Sequence, residues 1–194
     1  MGAIDDKMGV TRHRLTVDEY YRMAEVGLLA ADARVELIDG EIVHMPAIGS
    51  KHAGTVRRLD KLFQEAVGHR VVISVQAPLR LDRHNEPEPD LMLLRPREDF
   101  YARSHPTASD VLLLIEVSDT TARYDREIKL ELYARYGIPE TWIFDLDSAL
   151  LRQYRRPADA RYLDIAEATN PGVTPIAMLA GVAVDLSGLL SLGR

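Results

Sequence analysis

Asp90, Glu116 and Lys129 are the side chains whose types and spacing could do chemistry in this sequence. Asp90 heads the apolar run Leu91-Met92-Leu93-Leu94, and Glu116 closes the run Val111-Leu112-Leu113-Leu114-Ile115. A run that is apolar at every position reads as a strand covered on both faces, so a carboxylate at its end needs a partner, a metal or water. Two such carboxylates can hold a divalent cation that activates a water, and a lysine beside them offers charge to a phosphodiester under attack. Blander roles exist for each. Pro89-Asp90 before a strand is a common turn, and Lys129 could snorkel past apolar neighbours or pair with Asp125 one turn earlier. Glu116 is the hardest of the three to assign to structure alone.

These residues depend on the elements that carry them. After a polar leader over residues 1–14, Thr16-Val17-Asp18-Glu19 offers a capping box for a first helix, with Tyr20, Met23, Ala24 and Leu28 at helical spacing up to about Ala31. Asp39-Gly40 between two short alternating runs, 34–38 and 41–45, is the strongest hairpin signal in the chain. Ser50 is placed to cap a second helix to about Val67, ended by Gly68, with Val56, Leu59, Leu62, Phe63 and Ala66 on its apolar stripe. Strands are expected at 71–75, around 79–81 and from Asp90, then a long surface loop over 95–110 before the strand that ends in Glu116 and Val117. A helix from about Tyr124 to Tyr136 follows, closed by Gly137 with Pro139 beyond, and it carries Lys129 on the side shared with Leu132, Tyr133 and Tyr136. Trp142-Ile143-Phe144 opens a further buried strand, and 150–154, 162–166 and 173–176 look like short strands that finish the sheet.

With 194 residues and 46% hydrophobic content the chain can build one substantial core, and residues 15–194 are expected to form a single domain. No apolar stretch approaches the roughly 20 residues of a membrane span, and the amino terminus lacks a signal-peptide pattern, so a soluble cytoplasmic protein is expected. The absence of cysteine excludes disulfides, thiolate zinc sites and cysteine nucleophiles, leaving oxygen and imidazole ligands for any metal. A net charge of -6 argues against coating nucleic acid non-specifically, although Arg57, Arg58 and Lys61, Arg95 and Arg97, and Arg152, Arg155 and Arg156 form local basic clusters.

Taken together, Val35-Glu36-Leu37-Ile38-Asp39-Gly40-Glu41-Ile42, Ser50-Lys51-His52, Pro89-Asp90, Ile115-Glu116-Val117-Ser118, Asp125 with Lys129, and Tyr136-Gly137-Ile138-Pro139-Glu140-Thr141-Trp142 span roughly residues 15–156. This pattern resembles the PD-(D/E)XK nuclease superfamily, and within it the Uma-type family of restriction-endonuclease-like proteins. The resemblance implies an α/β fold, a restriction-endonuclease-like mixed central sheet flanked by helices, with an N-terminal helix and β-hairpin as an extension. It implies a divalent-metal-dependent endodeoxyribonuclease in which Asp90 and Glu116 bind Mg²⁺ or Mn²⁺, with DNA as substrate and a homodimer as the assembly. Position 118 is serine where the general motif has lysine; in the Uma-type pattern the helical lysine, Lys129 here, takes over that charge.

His52, at the start of the second helix, has three open roles: metal ligand, water-positioning base or helix cap. Glu36 would complete the outer part of the site or pair with an arginine such as Arg34, and Gln76 would hydrogen-bond the site or only the backbone. A lysine beside a partly hydrated site adds little to packing, so removing Lys129 is expected to lower rate rather than stability. Two other functions fit the same residues: a catalytically inactive nuclease-fold module that binds protein or nucleic acid, and a metal-dependent hydrolase of smaller phosphate esters.

Overall fold

A computed structural model, which describes residues 12–30, 32–119 and 122–191, gathers the apolar runs from Val72 onward into a six-stranded sheet. The described residues group into two compact units, one with residues up to Met45 plus Leu81–Pro87, the other with Pro46–Arg80 and the chain from Glu88.

In the first unit, helix α1 (Val17–Glu25) starts at the expected capping box: Glu19 N–H donates to Thr16 Oγ1 at 3.3 Å, and Thr16 N–H donates to Glu19 Oε2 at 2.8 Å. That backbone donation is the first cause holding the Glu19 carboxyl below the usual glutamate range. The helix stops at Glu25 rather than near Ala31, which lies outside the described residues. Gly27, at φ +75°, turns the chain, and Leu28 N–H closes back on the Met23 carbonyl at 2.8 Å. Strands β1 (Val35–Ile38) and β2 (Glu41–His44) pair antiparallel around Asp39 and Gly40, both with positive φ as the tight hairpin turn requires. The polar turn of residues 82–89 does more than lead to Asp90. Glu86 N–H donates to the Leu37 carbonyl at 2.8 Å and Asn85 Oδ1 accepts Asp39 N–H at 2.7 Å, so this turn lies along the hairpin as a third segment. Of the expected leader, residues 1–11 are not described, whereas Arg14 donates to the Asp39 carbonyl at 2.7 Å.

The second unit holds helix α2 (Ser50–Val67) and strands β3 (Val72–Val75), β4 (Leu91–Leu94), β5 (Val111–Ser118), β6 (Glu140–Asp145), β7 (Leu150–Ala158) and β8 (Arg161–Ala168). The sheet order is β3-β4-β5-β6-β7-β8, antiparallel except for the central β5/β6 pair, which is parallel. The β5 to β6 connection carries three successive helical pieces: α3 (Ala122–Tyr124), a wide π turn (Asp125–Lys129) and α4 (Leu130–Arg135). Burial explains the packing. Val56, Leu59, Phe63 and Val67 form the α2 stripe, and they share one core with Leu91, Leu93, Leu113, Ile115, Val117, Trp142 and Phe144 of the sheet. Each fully buried aliphatic or aromatic side chain contributes roughly 1.5–3 kcal/mol, which makes this stripe the main anchor of α2. A separate cluster gathers Ala134 of α4 with Ile143, Tyr154 and Tyr162.

Three further expectations change. Gly49, not Ser50, is the N-cap of α2, without a side-chain bond, because Ser50 already lies in the first turn. The residues near 79–81 form no strand; Arg80 makes an isolated bridge to Thr107 instead. The run at 173–176 does not finish the central sheet, because β9 (Val173–Pro175) pairs with β10 (Ala183–Asp185) as a separate ribbon. No described helix is long and apolar enough to cross a membrane.

Candidate active site

Strand register decides where the two acids meet. β4 and β5 run antiparallel with Leu91 opposite Ile115, so Asp90, just before β4, and Glu116, one residue past that pair on β5, lie at the same end of the two strands. Asp90 is held from both neighbouring strands: Gln76 N–H, just past β3, donates to its carbonyl at 3.1 Å, and Val117 N–H of β5 donates to its Oδ2 at 2.8 Å.

Asp90 is buried, and its carboxylate is held from several sides. His52 Nε2, in the first turn of α2, stands 3.1 Å from both carboxylate oxygens, and Gln76 Nε2 donates to Oδ1 at 3.2 Å. His52 is therefore a carboxylate partner rather than a helix cap. Its other ring nitrogen, Nδ1, is buried without a hydrogen-bond partner in this structure.

Glu116 is 3% exposed and Lys129 is 1% exposed. Lys129 Nζ lies 2.8 Å from Glu116 Oε1, and the Tyr133 hydroxyl donates to the same oxygen at 2.5 Å. Lys129 closes the π turn and Tyr133 follows four residues later on α4, so one helical connection delivers both donors. Ser118, in the position where the superfamily motif has lysine, is fully buried and donates its hydroxyl to Asp125 Oδ2 at 2.7 Å. The expectation that Lys129 borders a partly hydrated site is corrected here. A lysine this deeply buried is part of the structure, because removing one partner of a buried pair leaves an uncompensated charge.

The second unit thus brings together Asp90, His52 and Gln76 at one strand end, and Glu116 with Lys129 on the facing strand and its helix. Glu36 belongs to the first unit, where it is buried on β1 opposite Val43. Tyr133 was not expected as a site residue, although its spacing from Lys129 on one helix was visible; the sequence signalled only a packing residue. Among the described residues, no three or more His, Asp or Glu side chains gather into a cage. Mg²⁺ keeps several waters and commonly takes only one or two carboxylates from the protein, so Asp90 or Glu116 could serve Mg²⁺ or Mn²⁺ without such a cage. The orphaned Nδ1 of His52 adds a buried polar atom near Asp90.

The family model Uma2, described as "Putative restriction endonuclease", matches residues 17–187. The fold is similar to the crystal structure of a "putative nuclease belonging to DUF820" from Anabaena variabilis, with a TM-score of 0.71 and 17% identity, covering 91% of this chain and 98% of that one. No curated protein matches the chain.

Proposed function

Because the chain belongs to the Uma2 family, we propose that it is a divalent-metal-dependent endodeoxyribonuclease, acting on cytoplasmic DNA as a homodimer. The observation that supports this best is the strand register that brings Asp90 and Glu116 to the same end of β4 and β5, with a buried lysine already on the second acid. Asp90 and Glu116 would hold Mg²⁺ or Mn²⁺. When bound, the cation would polarise the scissile phosphate and make its water a better nucleophile.

The chain's own residues do the rest. Lys129, 2.8 Å from Glu116, keeps a buried positive charge beside the second acid and would act on the reaction through that acid's field. Tyr133 steadies the oxygen that Lys129 contacts, and His52 keeps Asp90 in place. A symmetric dimer would present two such sites to the two strands of a duplex. Whether Glu36 acts in cleavage or serves only the first unit is tested separately by Glu36→Gln.

A second reading is an inactive nuclease-fold interaction module. It is favoured by the same Glu116–Lys129 contact, because an ammonium beside the second acid competes with a cation for it. Plasmid cleavage separates the two. Purified protein with Mg²⁺ or Mn²⁺ should nick or cut plasmid DNA and stop in chelator; Asp90→Asn should be silent, and so should Glu116→Gln, assayed below its lowered unfolding midpoint because it strands the buried Lys129. Cutting that survives either substitution rules out this site, and a wild type silent with all metals and DNA forms supports the interaction module.

A further inference from the structure

Gln76 directly follows β3, and its backbone lies at φ +45°, a left-handed conformation that a residue with a side chain keeps only when its surroundings hold it there. Three other positive-φ residues lie in hairpin turns: Asp39 in the β1–β2 turn, and Asp159 and Ala160 in the β7–β8 turn. Gln76 sits in no hairpin turn. Instead it donates to Asp90 twice, through its backbone N–H to the Asp90 carbonyl at 3.1 Å and through its amide Nε2 to Oδ1 at 3.2 Å. The same residue fixes both the main chain and the carboxylate of the candidate ligand.

We propose that Gln76 is a positioning residue that orients the Asp90 carboxylate for a divalent cation, and that its strained backbone is retained for this purpose. The proposal rests on the reading of Asp90 as a cation ligand. Carboxylates that bind metals are commonly held by outer hydrogen bonds, and losing one such bond weakens metal affinity about 10–100-fold. The strain and the clamp are separable, because the backbone N–H bond survives any substitution except proline.

Two variants of the full chain test this. Gln76→Gly deletes the amide and adopts φ +45° without strain; Gln76→Ala deletes the amide and keeps the strain. Mn²⁺ affinity is read by calorimetry without DNA, and stability by the thermal midpoint. Both variants should bind Mn²⁺ about 10-fold more weakly or worse. Gln76→Gly should melt at or above the wild-type temperature, and Gln76→Ala below Gln76→Gly. Wild-type Mn²⁺ affinity in either variant overturns the proposal, as does a Gln76→Gly protein that melts well below wild type, which would make Gln76 an ordinary structural residue. If wild type binds no Mn²⁺, the proposal fails whatever cleavage assays give. If wild type binds Mn²⁺ but cuts no DNA, the nuclease reading fails and the positioning role stands.

Discussion

Replacing Lys129 with methionine keeps the length of the side chain, removes its charge, and leaves Glu116 as a buried carboxylate whose ammonium partner is gone. Both side chains are at most 4% exposed and 2.8 Å apart, so solvent cannot take over the lost interaction. Breaking such a pair from one side costs about 3–5 kcal/mol, or roughly two to four powers of ten in the folded-to-unfolded ratio. With a urea dependence of about 2 kcal/mol per molar, the midpoint should fall by about 1.5–2.5 M. Glu116→Gln together with Lys129→Met removes both charges, and its cost should fall short of the sum of the single costs by about 2–3 kcal/mol. Equilibrium urea unfolding of the four proteins, followed by the fluorescence of the buried Trp142, measures this cycle. A Lys129→Met protein that loses less than about 1 kcal/mol would behave like one with an exposed ion pair, and the reasoning from burial would be refuted.

Gly40 carries a strict requirement: its φ is +78°, and an added Cβ would come 2.6 Å from Arg14 Cβ. Gly40→Ala should cost about 2 kcal/mol or more and loosen hydrogen-exchange protection of the β1–β2 amides, and unchanged protection there would count against the turn as the constraint. Glu19 titrates below its usual range in the folded chain, so the stability that it contributes is present at neutral pH and is lost as pH falls through its folded pKa. Acid unfolding followed by circular dichroism should therefore show a smaller low-pH loss in Glu19→Gln than in wild type, and identical acid profiles would mean that the capping box does not contribute to the acid response.

Local signals carried most of the fold into view. The Asp39-Gly40 hairpin, the Thr16 capping box and the α2 stripe each announce themselves within a few residues, because turn chemistry, caps and helical periodicity act over that range. Elements fixed by distant partners did not. Residues 82–87 read as a polar turn because nothing near them shows that Glu86 pairs with Leu37, and β9 looked like a sheet strand because its partner, β10, is short and weakly patterned. Asp90, Glu116 and Lys129 stood out as charges at the borders of apolar runs, and the structure brings the last two into contact. The depth of Lys129 was not legible. A helical wheel assumes 3.6 residues per turn, whereas the connection widens into a π turn from Asp125 to Lys129, and that local change of pitch alters where the later residues face. Such turns recur at functional positions, so this departure from regular geometry falls where the chemistry is proposed.

All eight residues of β5 are buried, and that leaves this strand without the alternation of apolar and polar positions that normally fixes which face is which. A slip of one residue would exchange the faces of the whole strand while still burying mostly leucine, isoleucine and valine, so hydrophobicity alone scarcely distinguishes the slipped sheet from the native one. Glu116 makes the difference. In the slipped sheet its carboxylate would turn toward the apolar core beneath α2, with no lysine to meet it, and an apolar side chain would face Lys129. The charge pair is thus also an alignment mark for the central strand, and a chain stripped of both charges should be more prone to misaligned, slowly correcting sheets even where its final stability is preserved.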